Sequence, residues 1–192
     1  MPLNTNTIVG AARRAQARVW LMLGQNEQAE AVFSRLLLSH PLDAHALASR
    51  AHLRAKAGRT NEAIADNRAL LAAHPRRHAG DWFNLAFLLE SQSKLGEAEA
   101  AFRQALALDD RLDRAWYGLG LTLIRLGRLE EAVPALKRNT ELQPMSPYGW
   151  YQLARVQANR QQPEETLRII RHLKGFEPKV AAQLQRETGL VT

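Results

Sequence analysis

Residues 113–146 carry the clearest pattern in the chain, and they read DRAWYGLGLTLIRLGRLEEAVPALKRNTELQPMS. Small and large apolar side chains recur there at i, i+3, i+4 and i+7, which is the periodicity of one helix face. Gly127 follows where a left-handed residue would end this helix, and Glu130 and Glu131 suit the positive end of a second helix. Pro144 would stop that second helix, so the stretch predicts a helix–turn–helix unit. The apolar face of its first helix consists of Trp116, Leu119, Gly120 and Leu123.

This pattern recurs along the chain with a period of about 34 residues, which lies in the range of tandem-repeat proteins. Trp82, Trp116 and Trp150 follow one another at this interval. The same interval separates the members of three pairs, which are Gly24 with Gly58, Pro41 with Pro75, and Pro144 with Pro178. Two intervals plus one extra residue separate Gly58 from Gly127. The extra residue fits a loop at 74–78, where an insertion costs little. The spacing therefore indicates a tandem-repeat fold.

Alignment on these marks predicts five units of two helices each, at 10–43, 44–78, 79–112, 113–146 and 147–180. We expect residues 1–9 to form a polar N-terminal tail and residues 181–192 to form a C-terminal capping helix and tail. A single unit cannot bury its own apolar face, so consecutive units are expected to stack. The sequence therefore predicts an all-α domain.

The repeated residues resemble the tetratricopeptide repeat (TPR) family, whose pattern is W-x2-L-G-x2-Y, then A-x3-F, then P. The fourth unit supplies Trp116, Leu119, Gly120, Leu123, Ala132, Leu136 and Pro144, and the third supplies Trp82, Leu85, Ala86, Leu89, Ala98 and Phe102, with Asp110 where proline is usual. The resemblance covers residues 10–180. It implies a right-handed α-α superhelix of helix–turn–helix repeats, a TPR solenoid.

The resemblance also implies that the first helix of each unit lines a concave groove that holds an extended peptide or a partner helix. In this sequence the corresponding stripe is rich in basic and aromatic residues, against one acid, Glu90. Arginines pair with carboxylates, and aromatic rings supply contact area at a small entropy cost, so we expect an acidic peptide or protein segment as the partner. The candidate groove residues are Arg14, Arg18, His52, Lys56, Phe83, Asn84, Phe87, Arg114, Tyr117, Arg125, Tyr148, Tyr151 and Arg155.

A second explanation of this stripe is structural, because arginine stems also cover apolar surface. The carboxylate clamp that chaperone-binding TPR proteins use is not expected here. Five residue positions define that clamp, and in the best alignment only two of them match, with Asn84 and Arg114.

Catalytic, cofactor and metal sites are not expected. The chain has no cysteine, no P-loop, no G-x-G-x-x-G and no G-x-S-x-G. His45 and His52 lie two turns apart on one predicted helix, but no third ligand stands at a suitable spacing. We therefore expect a protein-binding scaffold and not an enzyme.

The remaining features bear on location and on alternative functions. The 192 residues carry 26 Lys and Arg against 19 Asp and Glu, and hold no apolar run near the ~18 residues of a membrane span. No secretory signal is visible, so we expect a cytoplasmic protein, bacterial by its Arg-, Ala- and Leu-rich usage. Nucleic-acid binding is disfavoured because no dedicated motif is present. Self-assembly remains open, as does the alternative that the chain is the N-terminal TPR domain of a larger sulfotransferase-like or glycosyltransferase-like enzyme.

Overall fold

The structure, a computed structural model, describes residues 5–191, with side chains from residue 9 onward. All regular secondary structure of the described residues is α-helical, and these residues contain no strand. Helix α1 begins at Thr5, within the range 1–9 that was expected to be a tail, and residues 1–4 and 192 lie outside the described residues. The helices are α1 Thr5–Met22, α2 Asn26–Ser39, α3 Ala44–Lys56, α4 Thr60–Ala73, α5 Ala79–Ser91, α6 Leu95–Leu108, α7 Asp113–Arg125, α8 Leu129–Leu142, α9 Pro147–Asn159, α10 Pro163–Lys174 and α11 Pro178–Thr188.

The helices fall into two compact units, an N-terminal unit with α1–α5 and a C-terminal unit with α6–α11. In each unit every helix packs against the next one along the chain, and α11 also packs against α9. The prediction of an all-α fold with helices packing in adjacent pairs is confirmed. The core of the N-terminal unit includes Phe33, Leu36, Leu47 and Leu70, and that of the C-terminal unit includes Leu136, Leu153, Ile170 and Leu184.

Close packing depends on small residues at the helix contacts. A Cβ added to Gly120 would lie 2.7 Å from a methyl carbon of Leu136, and one added to Gly118 would overlap the ring of Phe102. These distances leave no room for any side chain, so the helices approach closely only because glycine stands at both positions. Alanine has the same role at Ala132 and Ala154, which are fully buried.

The repeated tryptophans have a polar role in addition to packing. Each indole Nε1–H donates a hydrogen bond of 2.8 Å to a backbone carbonyl in the loop that precedes its own helix. The three donor–acceptor pairs are Trp82 with Pro75, Trp116 with Asp110 and Trp150 with Pro144. Because the acceptor is a main-chain oxygen, aspartate replaces the usual proline at position 110 without loss of this bond.

The turn within each repeat uses a left-handed residue at one fixed position. Gly24, Gly58 and Gly127 have φ values of 72°, 77° and 75°, and Ser93 and Gln161 have φ values of 58° and 57°. Consecutive turns are separated by the same interval, except that the second and third turns are one residue further apart, so the extra residue does lie between them. The predicted left-handed conformation of Gly127 is confirmed.

Gln161 offers a test of this turn. A non-glycine residue at positive φ costs about 1 kcal/mol, so Gln161→Gly should raise the free energy of unfolding by up to ~1 kcal/mol. The measurement is urea denaturation followed by circular dichroism. The matched control is Gln104→Gly on the exposed face of α6, where glycine should instead lower the free energy of unfolding by about 1 kcal/mol. Equal destabilisation by both substitutions would contradict the prediction.

Candidate peptide-binding site

The structure places the candidate groove residues on α1, α3, α5, α7 and α9, the first helices of the expected repeats. Several of them come together in cavities, each of which lies within one unit. In the N-terminal unit, His52, Phe83, Asn84 and Phe87 line one cavity. In the C-terminal unit, Tyr117, Tyr148 and Tyr151 line a second cavity, and Arg155 lines a third. The candidates that line none of these three cavities are Arg14, Arg18, Lys56, Arg114 and Arg125.

The cavity of the N-terminal unit has a volume of about 310 Å³ and lies between α3 and α5. The rings of Phe83 and Phe87 are stacked with their centroids 6.4 Å apart, and the Phe87 side chain is 57% exposed. On the α3 side the wall consists of three alanines and His52, and the small alanine side chains leave the space open. The alanines are Ala48, Ala51 and Ala55. This cavity is the size of one large side chain and has mainly apolar walls.

The floor of this cavity is polar. Asn67 on α4 and Asp81 on α5 line the cavity, although only 4% and 7% of their surfaces are exposed. The Asn67 Nδ2–H₂ group donates to the Ala63 carbonyl at 2.9 Å. The Asp81 carboxylate accepts from Arg77 Nη1 at 2.8 and 3.0 Å. Neither floor residue was among the predicted site residues.

The cavity of the C-terminal unit, of about 290 Å³, lies among α7, α9 and α11. Tyr148 is 70% exposed, whereas Tyr117 is half-buried. Burial raises the pKa of the Tyr117 phenol, and a hydrogen bond with Gln152 opposes this only in part. The three tyrosines therefore line one cavity at different depths of burial.

Helix α11 brings a carboxylate to this aromatic cluster. The Tyr151 hydroxyl donates to Glu187 at 2.8 Å, and Gln183 Nε2 donates to the same carboxylate at 2.8 Å. The Arg155 guanidinium lies 4.0 Å from Glu187 and 5.6 Å from the centre of the Tyr151 ring. Burial raises the pKa of Tyr151, and the hydrogen bond and charge of Glu187 raise it further. Helix α11 thus contacts two of the predicted groove residues, Tyr151 and Arg155.

Acidic residues that the sequence analysis did not assign to the groove reduce its positive charge. Arg14 donates to Asp43 at 2.7 Å, and Arg155 approaches Glu187 at 4.0 Å, so these predicted groove cations meet acids of the same chain. Asp43 also caps α3, accepting the Ala46 N–H at 2.8 Å. An aspartate immediately before a predicted helix is a signal for such a cap, but its second partner lies 29 residues away and no local pattern indicates it.

Other arginines are engaged away from the candidate groove. Arg50 on α3 pairs with Asp66 on α4 through two hydrogen bonds of 2.9 and 2.6 Å. Arg54 donates to both Asp66 and Glu30, and Arg59 also pairs with Glu30. Burial alone would raise the pKa of Glu30, but hydrogen bonds from Arg59 and Arg54 outweigh burial and lower it. These arginines therefore form ion pairs that link neighbouring helices.

The contact between Tyr151 and Glu187 leads to a titration test. Ionising Tyr151 would place a phenolate beside a carboxylate, so Glu187→Gln should lower the Tyr151 pKa toward its usual value of about 10. The measurement is an NMR titration of ring-labelled tyrosine. Tyr117 is the internal control, because its raised pKa arises from burial and does not involve Glu187. An unchanged Tyr151 pKa in the variant would show that the contact is absent in solution.

Comparison with known proteins identifies the family. The sequence profile described as Tetratricopeptide repeat matches residues 11–78 and 83–147. The chain therefore belongs to the tetratricopeptide repeat family, and the resemblance inferred from its sequence is confirmed. Proteins with this fold are typically protein–protein interaction modules. A search of curated proteins found no match.

Solved structures share the fold over most of the chain. The crystal structure of MamA protein matches with a TM-score of 0.83 and 16% identity, over 96% of this chain and 97% of that chain. YrrB, described as a TPR protein with an unusual peptide-binding site, matches with a TM-score of 0.81 and 18% identity, over 91% and 90%. A tetratricopeptide repeat protein from Parabacteroides merdae matches with a TM-score of 0.80 and 18% identity, over 94% and 74%. At these identities the likeness shows the fold alone.

Within the described residues, no helix combines the length and the apolar character needed to cross a bilayer. Helix α1 is the longest, with 18 residues, and contains Arg13, Arg14 and Arg18. The same residues hold no group of three His, Asp or Glu side chains arranged to bind a metal ion.

Proposed function

We propose that this protein binds an extended segment of a partner protein along the first helices of its repeats, with apolar side chains of the segment entering the cavities described above. The observation that carries the proposal is the cavity of the N-terminal unit, where four predicted groove residues meet around about 310 Å³ of space. The exposed Phe87 ring and the exposed Asn84 amide lie at its edge. A cavity with mainly apolar walls and a few polar groups is the usual form of a binding pocket.

An acidic segment is the partner that the charges favour. Arg18 on α1 and Lys56 on α3 are exposed cations on the first-helix stripe of the N-terminal unit. Burial is the main cause that lowers the pKa of His45 on α3, and the charges of Arg18 and Arg14 lower it further, against the opposing charge of Asp43. In the C-terminal unit, Glu187 shows how a carboxylate is accommodated between a tyrosine hydroxyl and an arginine.

Two other functions are less well supported. The similar structures give no support to the alternative that the chain is part of a sulfotransferase-like or glycosyltransferase-like enzyme. Nucleic-acid binding has less support because Arg50, Arg54 and Arg59 pair with acids of neighbouring helices, so part of the basic composition is engaged within the protein. The cytoplasmic location, self-assembly and the absence of catalysis remain predictions.

Filling the cavity of the N-terminal unit tests the binding site. Ala48 occupies the repeat position that Phe83 occupies in the next unit, and the equivalent positions later in the chain are Tyr117 and Tyr151, so the repeat accommodates an aromatic residue there. We expect Ala48→Phe to weaken binding at least about tenfold, because its ring would occupy the space of the peptide anchor. The probe is a fluorescent peptide selected from a random library displayed on phage, measured by fluorescence anisotropy.

The control for this experiment is Ala69→Phe, which adds the same ring to the exposed face of α4, away from the cavity. Both variants should unfold at temperatures close to that of the parent protein. If Ala48→Phe is folded and binds the peptide as tightly as Ala69→Phe does, the cavity is not the binding site.

Ionic strength tests the acidic preference. The affinity for the selected peptide should fall as salt is raised from low to physiological concentration, because exposed charges are screened over about 8–10 Å. Lys56→Ala should weaken binding about two- to fivefold at low salt and flatten the salt dependence. Arg35→Ala, on the exposed surface of α2, is the matched control with no expected effect. Binding that is indifferent to salt would contradict the charge-based part of the proposal.

A further inference from the structure

At the cavity of the N-terminal unit, one repeat departs from the pattern of the others. The position that Asn67 occupies in its repeat is held by Phe33 in the repeat before and by Phe102 in the repeat after, and then by Leu136 and Ile170. All four of these apolar side chains are at most 1% exposed, and they fill the space between helices. Asn67 is shorter, so the space above it stays open, and its amide makes the floor polar.

Asp81 departs from the pattern in the same way. The equivalent positions in the other repeats hold small residues, namely Ala12, Ala46, Ala115 and Gly149, and the last three of these are buried. A carboxylate at such a position costs desolvation free energy unless it is paired, and Arg77 supplies the pair. Two buried polar groups therefore replace apolar groups on the same cavity floor.

The charge on this floor is nearly balanced. Arg77 offsets the negative charge of Asp81, and Asp81 lies in the first turn of α5, where the helix dipole is positive. A cationic ligand would therefore gain little there. A carboxylate can accept about four hydrogen bonds, and Arg77 takes two, so Asp81 keeps the capacity to accept from a neutral donor.

The walls define the rest of the ligand. Phe83 and Phe87 form a stacked aromatic wall opposite the small alanines of α3, which suits a flat ring. About 310 Å³ accommodates one large aromatic side chain, with its tip toward the floor.

We propose that this cavity selects a tyrosine or tryptophan of the partner segment, whose ring packs between Phe83, Phe87 and the alanines of α3 and whose O–H or N–H donates to Asp81. This inference rests on the proposed function, since it names the anchor residue of the peptide bound there. The polar floor makes the cavity a specificity pocket for aromatic residues with a hydrogen-bond donor.

The test uses the phage-selected peptide and the parent protein. Each position of the peptide is changed to alanine in turn, and binding is measured to the parent protein and to Ala48→Phe. The anchor is the position at which this change weakens binding to the parent protein but does not weaken binding to Ala48→Phe any further. Synthetic peptides then carry Tyr, Trp, Phe, Leu or Lys at that position. We expect Tyr or Trp to bind about tenfold more tightly than Phe, because a Phe ring would cover the remaining acceptor capacity of the Asp81 carboxylate without donating a hydrogen bond to it.

Two variants locate this preference in the floor. In Asp81→Asn the ratio of Tyr to Phe affinities should fall toward one, because the acceptor loses its charge. Asn67→Phe restores the residue type found at Phe33 and Phe102, so it should keep the fold and abolish anchor binding by filling the cavity. If Asp81→Asn fails to fold, the peptide series on the parent protein still decides the question.

The outcomes separate the two proposals. Peptides that bind equally well with Phe or Leu at the anchor, or better with Lys, would overturn the donor-selective pocket, while a large effect of Ala48→Phe would leave the proposed function intact. If no peptide position depends on Ala48, both proposals fail. A Tyr or Trp preference that disappears in Asp81→Asn supports both.

Discussion

The contact of small residues against large ones between neighbouring helices is the constraint on which the rest of the structure depends. Gly118 and Gly120 lie against Phe102 and Leu136 so closely that a Cβ at either position would collide with them. Such contacts set the distance between helices, and that distance in turn sets which face of each first helix is left uncovered. The candidate site is therefore a consequence of packing, because the same helices use one face for the core and an adjacent face for the cavities.

Most of the fold could be predicted from the sequence because the repeat displays the same requirement several times. The turn shows this most clearly, since Ser93 and Gln161 occupy positions where Gly127 and its equivalents adopt positive φ. The backbone at the turn adopts a left-handed conformation whichever residue stands there. The interval between turns therefore predicts the position of each turn better than the presence of glycine does. Likewise Asp110 replaces proline, because Trp116 needs only a carbonyl oxygen at that point.

The candidate site was less predictable. Counting charges along the first helices assigned Arg14 and Arg155 to the groove, but each approaches an acid from elsewhere in the chain, at Asp43 or Glu187. These partners lie far away in sequence, and which helix face meets them depends on packing. The aromatic positions Phe83, Tyr117 and Tyr151 all line cavities, since a ring that follows the packing tryptophan by one residue lies beside the packing face.

The floor of the cavity could have been found in the sequence by comparing each repeat with the others. Asn67 and Asp81 are polar where the equivalent residues are apolar, and both are buried. Compared with a phenylalanine such as Phe102, Asn67 leaves a space unfilled, and unfilled space of this kind generally lowers the free energy of unfolding. A ligand that fills the space binds only the folded state and so returns that free energy on binding. At such a position of a repeat array, stability and ligand binding therefore depend on the same unfilled volume.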